Sequence, residues 1–103
     1  MATTIIVLFN LKPEAQVEAY ERWARERDLP TVNALSSVER FEVLKAKGLL
    51  MSDAEPPYRY VEIIRVADMA RFGEEVASET VQKLAAEFRQ FADQPLFILT
   101  EAL

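Results

Sequence analysis

The chain contains neither histidine nor cysteine. Without histidine, the side chain that most often serves as a base at neutral pH, and the commonest metal ligand, is missing. Without cysteine, disulfides, thiolate metal centres and a cysteine nucleophile are excluded. Haem, iron–sulfur and transition-metal cofactors are therefore not expected, and no other cofactor is implied. Glycine occurs only at positions 48 and 73, too sparsely for a loop that cradles phosphate. Ser36, Ser37 and Ser78 have no histidine to activate them. Glu14, Glu18, Glu21, Glu74 and Glu75 fall on solvated helix faces without metal-site company. Basic residues are in the minority, 12 against 17 acidic, for a net charge of −5. With no basic cluster, nucleic acid is not an expected partner. The longest apolar run near the start, residues 5–9, is too short for a signal-peptide core or a membrane span. The expectation is a cytoplasmic protein with no membrane partner.

What remains is an ordinary globular balance, 50% hydrophobic and 28% charged over 103 residues. That length suits one domain, residues 1–103, with a modest core. Residues 3–10 read as a strand rich in β-branched side chains. Pro13 fits the first turn of a helix over 14–27, with Val17, Tyr20, Trp23, Ala24 and Arg27 near one stripe. Residues 28–35 read as a short helical turn, with Asp28 as its N-cap and a pocket role for Asp28 second to that. Residues 37–47 predict a second strand, 48–57 a loop closed by Pro56-Pro57, and 58–66 a third strand. Asp68 caps a helix that Gly73 and Ser78 bend or break; it resumes over 80–92 and is stopped by Pro95. Residues 96–100 predict a fourth strand.

The order β-α-β-β-α-β predicts an α+β, ferredoxin-like fold: a four-stranded antiparallel sheet with both long helices on one face. The strands are apolar on both faces: Ile5, Val7 and Phe9 oppose Ile6 and Leu8, and Val61 and Ile63 oppose Ile64 and Val66. An antiparallel sheet with one wet face would alternate apolar with polar residues. A homodimer, with a second copy of the sheet on the open face, is the expected solution.

The polar residues bordering this core are the candidate site. Asn10 ends the first strand. Arg40 and Glu42 share one strand face, and Tyr58, Tyr60 and Glu62 another. Tyr20 and Trp23 lie three apart on one helix face. Together they predict a pocket between helix and sheet for a small aromatic or heteroaromatic molecule. Glu62, a carboxylate inside an apolar strand, needs a partner or a raised pKa. Glu62, Tyr20 and Asn10 are the candidate catalytic residues; Trp23, Tyr58, Tyr60 and Arg40 are the candidate substrate-binding ones. Trp23 at helical spacing reads first as plain core, and Arg40 with Glu42 as a cross-strand ion-pair set or an edge device.

The stretches 5–13, 20–25, 28–32, 57–64 and 97–101 (IIVLFNLKP, YERWAR, DLPTV, PYRYVEII and FILTE) resemble the RedY-like (HapK) family, in order along the whole chain. The resemblance implies a dimeric α/β barrel and a role in bacterial secondary metabolism of the prodigiosin type. It implies a cofactor-independent enzyme that steers cyclisation, tautomerisation or rearrangement of a reactive pyrrole- or indole-type intermediate. A non-catalytic carrier of that intermediate is the alternative. A cofactor-free monooxygenase built on Asn10, Trp23 and the tyrosines is a third, although wider relatives that handle haem or oxygen often use the histidine this chain lacks.

Overall fold

The computed structural model describes residues 2–103. The elements follow as β1 (Thr3–Leu11), α1 (Val17–Trp23), a π-helical segment (Ala24–Asp28), α2 (Leu29–Asn33), β2 (Val38–Lys45), β3 (Tyr60–Val66), α3 (Met69–Val76), α4 (Glu79–Phe91) and β4 (Ala92–Thr100). The four strands form one antiparallel sheet in the order β2-β3-β1-β4. This is the ferredoxin-like, split β-α-β arrangement, in which each helical connection leaves a third strand between the two it joins. No helix among the described residues is long and apolar enough to cross a membrane.

The period-two alternation of the strands decides what faces the helices. On the helix side, β1 pairs Ile5 with Ile64, Val7 with Glu62 and Phe9 with Tyr60 of β3. All six are buried. On the other side Ile6 pairs with Ile63 and Leu8 with Val61, and all four are half-buried under no helix. Leu96 and Ile98 of β4 continue that face beside Leu8 and Ile6, and are exposed.

The helix side is organised around Phe9. Its ring stacks on Tyr60 at 5.4 Å and meets Tyr20 and Phe88 edge-on at 5.8 and 5.0 Å. Tyr20, Phe9 and Tyr60 are wholly or almost wholly buried. Such geometry adds about 0.5–1.5 kcal/mol per pair beyond simple burial, and it joins α1, α4, β1 and β3.

Several boundaries differ from expectation. The first helix begins at Val17, not residue 14, and Pro13 lies in a preceding turn where Ala15 N–H bonds to Lys12 C=O. Asp28 is not an N-cap: its backbone is right-handed helical and its side chain makes no capping bond. The chain runs through it without the extended residue that a cap requires. Tyr58 precedes β3 rather than opening it. Gly73 lies inside α3, and the break comes at Ser78, whose hydroxyl accepts from Val81 N–H to start α4. Asp68 caps α3 by accepting from Arg71 N–H. Pro95 does not stop the last helix, which ends at Phe91. It lies within β4, at the sheet edge, where a missing N–H breaks no ladder on the open side.

Asn10 closes the far end of the sheet. Its side-chain amide donates to Pro57 C=O at 2.9 Å, and its carbonyl accepts from Arg59 N–H at 2.8 Å. The Asn10→Ala variant is expected to lose about 1–2 kcal/mol, since two backbone groups lose their partner. Urea unfolding reads this directly; a change below about 0.5 kcal/mol would leave the clamp without energetic weight.

Candidate functional site

The local origin of the site is a widened helical turn. Pro30 has no N–H to offer the carbonyl four residues before it, so the α-helical ladder is interrupted there. The chain responds with a π turn in which Leu29 N–H bonds to Ala24 C=O, five residues back. Tyr20, Ala24 and Asp28 consequently stay on the buried line while Arg25, Glu26 and Arg27 remain outside. The turn thus directs Asp28, not a hydrophobic residue, under the helical layer.

Glu62 reaches the same layer from the sheet. It sits between Tyr60 and Ile64 on the buried face of β3, in register with Val7 of β1 and Val43 of β2. Asp28 and Glu62 are each only 5% exposed. Both line a cavity of about 240 Å³ bounded by α2, α3, α4 and β4. Eleven of its fourteen lining residues are apolar, Phe72, Phe88 and Phe97 among them. Asp28 Oδ2, Glu62 Oε2 and the Tyr20 hydroxyl are buried without a hydrogen-bond partner. Phe97 is 62% exposed, so the cavity opens past β4.

Burial sets the protonation of this group. The Asp28 carboxyl is pushed up to about 7 by loss of solvation. Glu62 is raised well above the ordinary carboxylate range, first by burial and then by the charge of Asp28. In this apolar box Glu62 keeps its proton at neutral pH, while Asp28 is divided between its acid and its carboxylate form. Tyr20 is also raised, by burial first and then by Glu62 and Asp28. It stays protonated and acts only as a hydroxyl.

A second, smaller cleft of about 190 Å³ lies on the other side of Tyr20 and Tyr60. Its charges are matched among themselves. Glu21 accepts from the Tyr60 hydroxyl at 2.8 Å and pairs with Lys45 at 2.7 Å and Arg25 at 3.5 Å. Those bonds, led by Lys45, hold Glu21 below its usual range. The two unpartnered carboxyls are in the first cavity, which makes it the candidate site. Among the described residues no cluster of three or more His, Cys, Asp or Glu side chains is placed to hold a metal ion.

Of the residues expected at the pocket, Glu62 lines the cavity, and Tyr20 and Tyr60 border the neighbouring cleft. Trp23, Tyr58, Asn10 and Arg40 line neither. The Trp23 indole N–H donates to Glu87 at 2.8 Å, and its ring packs against Tyr20, Phe88 and Phe91. Arg40 is exposed and pairs with Glu42 at 3.2 Å on the open side of the sheet. The residue that sequence reasoning placed second, Asp28, is the partner of Glu62 in the cavity. The one signal for it was Pro30, which marks the widened turn.

The profile of the REDY-like protein HapK family matches residues 3–103. No curated protein matches the chain in sequence. The crystal structure of HapK from Hahella chejuensis is 35% identical, with 98% of this chain and 92% of that one covered and a TM-score of 0.77. The cofactor-independent oxygenase SnoaB from Streptomyces nogalater has the same fold at 17% identity, with 98% and 92% covered and a TM-score of 0.74. So has a dimeric protein of ferredoxin-like fold from Bacteroides fragilis, at 14% identity, 98% and 96% covered and a TM-score of 0.67. A profile match over nearly the whole length and a 35% identical relative of the same extent establish that this chain belongs to the REDY-like HapK family.

Proposed function

We propose that the protein is a cofactor-independent enzyme of bacterial secondary metabolism that moves protons on a small aromatic or heteroaromatic intermediate. Cyclisation, tautomerisation or rearrangement of a reactive pyrrole- or indole-type compound needs orientation and proton transfer, and little else. The observation that carries the reading is the pair Asp28 and Glu62, buried and unpartnered in an apolar cavity. A carboxylic acid poised near neutrality can give a proton to one atom while a neighbouring carboxylate takes one from another. The Tyr20 hydroxyl, buried beside them, is a fixed donor. Trp23 and Phe88 support the wall, and Asn10, Tyr58 and Arg40 take no part in this version of the site. A cytoplasmic location accords with such a role.

A working unit of two chains accompanies this reading. Ile6, Leu8, Val61 and Ile63, continued by Leu96 and Ile98, form a contiguous apolar sheet face under no helix. Isolated proteins rarely leave such a face to water. The dimeric ferredoxin-like relative from Bacteroides fragilis gives a precedent for pairing on this fold. Light scattering at micromolar protein is expected to return twice the chain mass; a concentration-independent monomer would end the reading.

Turnover is tested with pyrrole- and indole-type probes at substoichiometric protein. Glu62→Gln is expected to bind the probe and to lose about 10²-fold or more in rate, the usual scale of a lost acid or base. A product change that requires stoichiometric protein would instead make the chain a carrier. Oxygen uptake during turnover would make it a monooxygenase.

Stability provides an independent check, with a definite sign. Unfolded, the two carboxyls titrate from ordinary values of 3.8 and 4.5; folded, both are raised. Between about pH 4 and the folded values, the unfolded chain has released protons that the folded chain keeps. Stability therefore falls as pH rises through that window, for Asp28 up to about 7 and for Glu62 beyond it. The carboxylates with lowered values, Glu21, Glu75 and Glu87, contribute only on the acid side. Denaturant unfolding from pH 5 to pH 8 is expected to show a loss of about 2–4 kcal/mol, with Glu62→Gln flatter and more stable than wild type at pH 8. A flat or rising wild-type profile would show that the pair is not held protonated.

A further inference from the structure

The cavity is chemically one-sided. Inside it, the side-chain polar groups are the two carboxyls, with an oxygen of each unpartnered, and the Tyr20 hydroxyl is buried without a partner close by. The other groups that face them are few. Tyr60 comes from β3 and is bonded to Glu21. Arg89 of α4 is the one basic lining residue, and it is exposed at the rim. The lining from α2, α3 and β4 carries no charge: Val32, Phe72 and Phe97 represent it. Glu21 is already tied to Lys45 and Arg25 on the far side. Among the described residues no buried cation balances Asp28 and Glu62.

That arrangement ranks ligands by charge. An anion would meet acceptor oxygens and oppose any ionised carboxyl. A neutral N–H ring would fill the apolar part and offer the unpartnered oxygens only an uncharged hydrogen bond. A cation with N–H groups would pair with them through charge-assisted hydrogen bonds. Its flat face would lie among Phe72, Phe88 and Phe97, which attract cationic rings. At about 240 Å³ the cavity is below the usual range for drug-sized ligands and suits one or two small rings.

Resting on the function proposed above, we infer that the cavity binds a planar nitrogen heterocycle or amidine in its cationic form, N–H edge toward Asp28 and Glu62. The proton balance follows. When the ligand arrives as a cation below about pH 7, the Asp28 O–H breaks, its proton passes to water, and the carboxylate left behind neutralises the ligand; above that pH the carboxylate is already there and no proton is lost. When it arrives neutral, the same proton moves from the carboxyl oxygen to the ligand nitrogen, and none is released. In both cases the cavity holds no net charge.

Three probes of one shape decide it: benzamidinium, neutral benzamide and anionic benzoate, titrated calorimetrically into the full chain at pH 6 and pH 8, each in two buffers of different ionisation enthalpy. Benzamidinium is expected to bind about tenfold or more tighter than benzamide at pH 8, the strength of one charge-assisted bond. It is expected to weaken toward pH 6, where binding must first displace the Asp28 proton and so releases it, and to release little at pH 8, where Asp28 is already ionised. In the Asp28→Asn, Glu62→Gln double variant the preference should vanish while benzamide affinity is kept. Benzamide or benzoate binding as tightly as benzamidinium would overturn the inference and leave the cavity reading standing. So would failure of all three where neutral pyrrole or indole binds. Failure of every one of these probes would overturn the proposed site itself.

Discussion

The structure depends on the burial of Phe9 at the crossing of sheet and helices. Its ring is wholly enclosed, stacked on Tyr60 and edge-on to Tyr20 and Phe88. Through those contacts the central strand β1 sets the height at which α1 and α4 cross the sheet. Removing such a ring from a closed core costs about 3–5 kcal/mol, and that reserve matters because the neighbouring layer is unfavourable. Two turns on from Tyr20, at the end of the π-helical segment, and one same-face position along β3 from Tyr60, the aromatic cluster gives way to Asp28 and Glu62. Two ionisable groups in an apolar enclosure lower stability unless they are protonated or paired. The aromatic cluster offsets that deficit.

The two carboxyls reach the same place by different constraints. Glu62 is locked by register. Its neighbours across the sheet are Val7 and Val43, and a slip by one residue would turn the whole apolar face of β3 to the opposite side. It therefore cannot swing to water without loss of the strand. Asp28 is placed by backbone geometry. Pro30 opens the turn, the Leu29 to Ala24 bond closes it five residues apart, and the inward position passes to an acidic residue. Widened turns of this kind recur at functional sites because they direct a side chain that regular helix geometry would turn aside.

This difference explains what could be read from the sequence. The order of elements and the two-sided apolar strands follow from period-two alternation, which is local and strong. Glu62 was legible for the same reason, as a carboxylate where the alternation demands an apolar residue. Asp28 was not, since Asp-Leu-Pro has the composition of a helix N-cap, and only the continuing helical backbone shows otherwise. Trp23 looked like a pocket wall because three-residue spacing puts it near Tyr20. In the folded chain its indole N–H is spent on Glu87, and its ring belongs to the stack over Phe88 and Phe91. Arg40 and Asn10 lie on the opposite side of the sheet from the cavity, where strand alternation puts them. One satisfies Glu42 and the other the backbone at Pro57 and Arg59.

A carboxyl pair held this way has a property that surface acids lack. Water around an exposed carboxylate must reorganise whenever its charge changes, and in an apolar enclosure there is little water to do so. The positions of Asp28 and Glu62 are fixed by a helical turn and a strand register, neither of which needs to move when a proton is gained or lost. The fixed part of the site is thus its geometry and the variable part is its charge. For a reactive intermediate whose rearrangement requires a proton to leave one atom and arrive at another, that is the useful division. The absence of histidine is then no handicap. Burial raises Asp28 to about 7, where histidine would titrate, and Glu62 well above the ordinary carboxylate range, and under the proposed function the apolar walls that raise them would also receive the ring of the ligand.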